Sequence, residues 1–191
     1  KAAGSIKKGN LVAFPTETVY GLGTDALNPS AALKIFKAKG RPLGNPLIVH
    51  VSEKNQVYNI AEEVPEDALL LMDRFWPGPL TLILKKSGII PEIVSGGLNT
   101  VAVRMPQNSI ALELIKEAGT PIAAPSANLF SRPSPTSAQH VVNDLGESID
   151  IILDGGSTDV EVESTIVDMT CKPYEILRPG GITREKLKKV I

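Results

Sequence analysis

A single-domain α/β fold, with a mixed, twisted β-sheet flanked by helices across residues 1–191, is predicted by three features of the sequence. Short apolar, β-branched runs alternate with segments of helical period. Connections within 80–105 and 151–178 are too short for the helical crossovers that parallel strands need, so antiparallel pairs must be mixed in. A length of 191 residues with 42% hydrophobic content supports one sizeable core, and 16 Gly with 15 Pro make the chain loop-rich without a disordered composition.

The strand candidates are Leu11–Phe14, Leu47–Val51, Leu80–Leu84, Val101–Met105, Ile122–Ala124, Ile151–Leu153, Thr165–Asp168 and Tyr174–Leu177. Helical period is read in Ser30–Lys39, Glu66–Phe75, Ile110–Ala118, Ser137–Leu145 and Arg184–Val190. The first of these helices is the best marked. Asn28 can cap it, Pro29 suits its first position, Ala32, Leu33 and Phe36 share a face, and Gly40 stops it. A comparable start for the fourth is read at Thr136.

Composition removes several function classes. The one cysteine, Cys171, excludes an internal disulfide framework and any multi-cysteine cluster, and His50 with His140 cannot make a three-histidine metal site. No apolar run approaches the ~18 residues of a spanning helix, and no signal-peptide pattern opens the chain. The expectation is a cytoplasmic protein with no membrane partner. Lys and Arg total 20 against 21 Asp and Glu, a net charge of −1 that is weak support for a general polynucleotide binder. Residues 1–54 nevertheless hold eight basic and three acidic residues, an excess that suits either an anionic ligand or a solvated face.

One motif misleads. Gly21-Leu-Gly23-Thr-Asp-Ala26 fits a relaxed dinucleotide-binding pattern, but Asn28-Pro29 interrupts any helix begun there. Arg41 stands about where the ribose-binding acid belongs. There is no P-loop and no nucleophile elbow.

Four clusters carry chemistry. Lys39-Gly40-Arg41-Pro42 ends the first well-marked helix, where cations can either offset the helix dipole or converge on a polyphosphate. Ala123-Ala-Pro-Ser126-Ala-Asn128 follows a strand, a common ligand position in α/β sheets, with Ser134 further along the same loop. Pro15-Thr-Glu-Thr-Val-Tyr-Gly21 leaves the first strand, and Arg178-Pro-Gly-Gly181 closes the last. Taken singly, each also reads as ordinary turn chemistry.

Together they do not. Pro15–Gly23, Lys39–Pro42 with Pro46-Leu-Ile-Val-His50, Trp76-Pro-Gly-Pro-Leu-Thr81, Val101–Arg104, Pro125–Asn128 and Glu163-Ser-Thr-Ile-Val-Asp168 occur in one order that resembles the YrdC-type threonylcarbamoyl-AMP synthase family, from about residue 9 to 182. The resemblance implies that L-threonine takes up bicarbonate as a carbamate, which attacks the α-phosphate of ATP to give threonylcarbamoyl-AMP and pyrophosphate. A separate transfer machinery then moves the threonylcarbamoyl group to a tRNA adenosine. It implies a catalytic placement for Lys39, Arg41, Ser126 and Asn128. ATP binding falls to Lys39, Arg41, Asn45, Thr100, Ser126, Ser134 and Arg178. L-Threonine falls to Thr18, His50, Arg104 and Ser164, with Arg104 matched to its carboxylate. Mg²⁺ would be held mainly through the phosphates, with no protein metal cage.

Trp76-Pro-Gly-Pro is read as a core anchor and turn, Glu17 as a polar orienter, and Cys171 carries no assigned role. The chain departs from many members at Ala124, where they have Ser or Thr, so any ligand contact there must be made by backbone. The lack of an initial Met and the run through Ile182-Thr-Arg-Glu-Lys-Leu to Ile191 suit an excised catalytic domain of the long family form. Two other readings stay open: the carbamoyl-adenylate domain of hydrogenase-maturation proteins, and a double-stranded RNA or tRNA-binding module, with weak RNA binding its milder form.

Overall fold

A computed structural model describes all 191 residues. In chain order the elements are α1 (Ala2–Lys7), β1 (Val12–Phe14), β2 (Gly21–Asp25), α2 (Pro29–Lys39), β3 (Ile48–His50), α3 (Val57–Ile60), α4 (Glu66–Phe75), β4 (Leu80–Lys85) and α5 (Glu92–Ser95). There follow β5 (Thr100–Arg104), α6 (Ser109–Ala118), β6 (Ile122–Ala123), α7 (Ala138–Leu145), β7 (Ile151–Ile152), β8 (Thr165–Asp168), β9 (Glu175–Arg178) and α8 (Arg184–Leu187). The nine strands form one sheet in the order β7-β1-β2-β6-β3-β5-β4-β8-β9. Three pairings are parallel (β1 with β7, β3 with β5, β4 with β8), and the rest are antiparallel. The mixed sheet predicted from the short connections is therefore present.

Local signals explain most helix boundaries. Asn28 accepts from the Ala31 amide at 3.1 Å, Pro29 opens α2, and Gly40 closes it at φ 63°, a left-handed conformation that glycine adopts without steric penalty. At α7 the cap is Ser137, accepting from the His140 amide, rather than Thr136. The last helix ends at Leu187, short of Val190, and α1, α3 and α5 carry too few periodic positions to have been read.

The main omission is β2. Gly-Leu-Gly-Thr-Asp has little intrinsic strand preference, and none of the predicted strands covers it. Its glycines are there for packing: a Cβ on Gly23 would lie 2.6 Å from both Ile122 and Phe14 side-chain carbons. The neighbouring strands fill the space that a side chain would take.

Alternation along the strands separates two layers. Val12, Phe14, Ile122 and Ala124 pack with α1 and α6 on one face. Leu11, Ala13, Val49, Val101, Val103, Leu80, Leu82 and Leu84 face the larger core, covered by α2, α4, α5 and α7. Trp76 anchors that core, and its Nε1 donates to Leu80 O at 2.7 Å. Beyond α1 and α6, the first face carries no helix over β3, β5 and β8; there Ile48, His50, Arg104 and Ile166 line a cavity.

Candidate active site

The cavity holds about 270 Å³ and is lined by Thr16, Thr18, Val19 and Gly21 of the β1–β2 connection, and by Arg41, Asn45 and Pro46 of the loop after α2. Ala124, Pro125 and Ser126 follow β6, and Glu163, Ser164 and Arg178 close the opposite side. Larger depressions of about 480 and 970 Å³ border Tyr174, but neither contains a residue assigned above to ATP or L-threonine. Because the sheet is mixed, the site lies over a sheet face and not along one row of strand carboxyl ends, contrary to the analogy drawn from parallel sheets.

At its deepest point His50 and Arg104 stand side by side on parallel strands. Arg104 is almost fully buried, and its Nη2 donates to Glu17 Oε1 at 2.7 Å and to Thr18 Oγ1 at 3.0 Å. Its Nε donates to Gly78 O at 3.3 Å, so the Trp76-Pro-Gly-Pro turn also supports the site. Nη1 is left without a protein partner. The second Glu17 oxygen accepts from the Gln107 amide at 3.1 Å. Glu17, read from the sequence only as an orienter, is the buried counter-ion of Arg104. Thr16 extends the network, with its hydroxyl 2.9 Å from that of Thr18.

His50 is buried edge-on to Phe14, ring centroids 6.2 Å apart, and its Nδ1 has no hydrogen-bond partner. Burial, and then the Arg104 charge, push its pKa down to about 3, so the ring is neutral at pH 7.

Arg41 and Arg178 lie nearer the rim. Arg41 donates through Nε to Asn45 O at 3.2 Å and through Nη2 to Pro46 O at 3.0 Å, leaving Nη1 open. Arg178 has a protein partner on each nitrogen: Nε and Nη2 each donate to Ser164, to its O and Oγ at 3.0 Å, and Nη1 donates to Glu163 Oε2 at 2.5 Å. The Ser164 hydroxyl also lies 2.7 Å from that of Thr81. Burial lowers the pKa of both arginines, with Glu163 opposing, and both stay charged.

Three predicted residues sit differently from expectation. Lys39 is only 2% exposed and does not line the cavity. The left-handed turn at Gly40 sends Arg41 into the site and leaves the Lys39 ammonium donating to Ser126 O and Asn128 O. Its pKa falls to about 8, through burial and then the Arg41 charge. Asn128 is likewise turned inward, donating to Leu129 O at 2.9 Å and Arg132 O at 2.7 Å. These two side chains shape the loop that presents Ser126. Thr100 shares the cavity face of β5 but lies four residues before Arg104, about 13 Å along the strand. It borders a separate depression with Glu62, Lys86 and Asn99.

Ser134 stands behind the rim, donating to Glu163 Oε1 at 2.9 Å. Ala124 is buried in the cavity wall and its amide donates to Ile48 O, so neither its methyl nor its N–H offers a polar contact. Glu163 was missed as a site residue, although its motif was read, because nothing in sequence links it to Ser134 or Arg178. No three His, Cys, Asp or Glu side chains converge on a point. No helix is long and apolar enough to cross a membrane.

The molecule is a mixed α/β sheet with an arginine-lined cavity on its open face, and its architecture is YrdC-like. The chain matches the Sua5_yciO_yrdC family model, described as Telomere recombination, over residues 4–180, and belongs to that family. It is 56% identical to a threonylcarbamoyl-AMP synthase of Pyrococcus abyssi (strain GE5 / Orsay), a match covering 100% of this chain and 56% of that protein. The corresponding enzyme of Bacillus subtilis (strain 168) is 52% identical, again over 100% of this chain and 56% of its own length. A solved structure of P. abyssi Sua5 complexed with L-threonine superposes with a TM-score of 0.98 at 56% identity, covering 100% of this chain and 56% of that one. The chain thus spans just over half the length of these relatives.

Proposed function

We propose that this chain carries the active site of a threonylcarbamoyl-AMP synthase. The amine of L-threonine takes up bicarbonate with loss of water, and the resulting carbamate oxygen attacks the α-phosphorus of ATP. The bond from that phosphorus to the bridging oxygen breaks, releasing pyrophosphate. The observation that carries this reading is one cavity with two separately built cationic poles: Arg104 deep beside a neutral His50, and Arg41 with Arg178 at the rim. An amino acid carboxylate and a polyphosphate can therefore be held at once.

In this reading the open Nη1 of Arg104 takes the threonine carboxylate. Thr18 and Ser164 offer hydroxyls, and neutral His50 accepts a hydrogen bond without adding charge near Arg104. Arg41, Asn45, Ser126, Ser134 and Arg178 take the nucleotide, with Lys39 and Asn128 fixing the Ser126 loop. The nucleophile comes from a substrate, so the residues contribute positioning and fixed charge and need no covalent intermediate. With Glu163 the one carboxylate in the lining, the donor set fits a magnesium ion held chiefly by phosphate oxygens and water. Bound there, magnesium offsets triphosphate charge. We place the reaction in the cytoplasm, with its product passed to tRNA-modifying transfer enzymes.

The test is pyrophosphate release from ATP and Mg²⁺, omitting L-threonine and bicarbonate in turn, with mass spectrometry of the nucleotide product. Release that requires both, with threonylcarbamoyl-AMP detected, is expected. Release independent of threonine would overturn the reading.

A further inference from the structure

Of the three guanidinium groups lining the cavity, Arg104 and Arg41 each keep Nη1 open, whereas Arg178 has every nitrogen engaged. The group that closes its outer edge is the Glu163 carboxylate, the one acidic side chain among the lining residues. One Glu163 oxygen takes Arg178 Nη1 and the other takes the Ser134 hydroxyl at 2.9 Å. A carboxylate and a phosphate both offer anionic oxygens to such donors, here one Glu163 oxygen to the guanidinium and one to the hydroxyl. Glu163 therefore occupies the two donors to which a phosphate group would otherwise bind.

The backbone at Glu163 is locked while its side chain is not. Its carbonyl accepts from the Gly181 amide at 3.2 Å, and a Cβ on Gly180 would lie 2.2 Å from that same oxygen. The Glu163 side chain remains 36% exposed and that of Arg178 32%. An ion pair this open to water is held weakly. Its release needs only a rotamer change, with no opening of the 153–164 connection.

We propose that Glu163 is an internal anion that occupies Arg178 and Ser134 in the nucleotide-free protein and is displaced by the phosphates of the ligand. It lowers affinity for polyphosphate and restricts the site to ligands charged enough to displace it. The proposal rests on the nucleotide reading above.

Titration calorimetry of the wild-type chain and Glu163→Gln with ATP, inorganic pyrophosphate and adenosine, each in EDTA and in Mg²⁺, tests it. Glutamine keeps the size and hydrogen-bonding reach but removes the charge. ATP and pyrophosphate should bind the variant about two- to fivefold tighter in EDTA, the scale of an ion pair about one third open to water. Adenosine, lacking phosphate, should bind both alike. Glu163→Ala, checked for an unchanged melting transition, should tighten pyrophosphate binding in the same direction. Equal or weaker ATP binding by Glu163→Gln would overturn the proposal, and weakening confined to Mg²⁺ would do so in favour of a metal-ligand role. Failure of the wild-type chain to bind ATP or pyrophosphate under either condition would overturn the nucleotide reading as well, so the two failures are distinguishable.

Discussion

The deep and outer poles of the cavity are built by different means. Around Arg104 the groups sit on or beside strands, and the pair with Glu17 has side chains only 5% and 6% exposed. Around Arg178 and Arg41 the groups hang on loops and strand ends, partly open to water, and their protein partners are mainly carbonyls, one hydroxyl and one partly exposed carboxylate. A buried charge must keep its partner or destabilise the fold, whereas an exposed one can exchange its partner for a ligand. The deep pole is therefore bound up with stability and the outer pole is not.

The strongest attempt to break this contrast is Arg104→Ala, which strands the Glu17 carboxylate in the interior. A loss of about 3–5 kcal/mol in unfolding free energy is expected, read from urea midpoints. A variant as stable as wild type would remove the distinction.

His50 tests the same pole through pH. Its ring stays neutral in the fold down to about pH 3, but in the unfolded chain it protonates below its ordinary 6.5. As pH falls through that window the unfolded chain binds a proton that the fold refuses, so stability present above 6.5 is lost. Between pH 7 and 4.5 His50 alone should account for about 2–3 kcal/mol. His50→Gln should lose less stability than wild type by that amount when both are unfolded by denaturant at the two pH values.

At the rim, Arg41→Ala should cut turnover about ten- to a hundredfold, the scale of one charge-assisted contact of about 1.5–3 kcal/mol. Its unfolding free energy should move by no more than about 0.5 kcal/mol, because Arg41 holds only two loop carbonyls. Steady-state kinetics beside a melt separates the two effects. Smallest of all, Thr100→Val should leave the ATP dissociation constant within about twofold, since Thr100 borders another depression.

The outer pole was the less legible in sequence, for a physical reason. Arg104, His50 and Thr18 belong to strands or tight strand exits, where alternation and a short motif already place a side chain. Lys39 and Arg41 are two residues apart in one motif, yet the left-handed turn at Gly40 buries the first and exposes the second. Composition cannot distinguish two cations so close in sequence. Glu163 and Ser134 are 29 residues apart and meet only because the β7–β8 connection crosses the sheet. The strand at Gly21–Asp25 was hidden because its glycines serve their neighbours' side chains and not its own conformation.

The site's position over a sheet face has a consequence for how the chain can fail. Along β5, Ala102 and Arg104 face the cavity side while Val101 and Val103 are buried in the opposite core. Strand pairing has a period of two, so a slip of one residue would drive Arg104 into the core and turn a valine outward. A chain paired out of register would lose its core and its cavity together. Misassembled copies are then unstable, left open to proteolysis, and do not persist as folded proteins with a blank site. Retention of the fold in this region is thus itself an assay for an assembled deep pole.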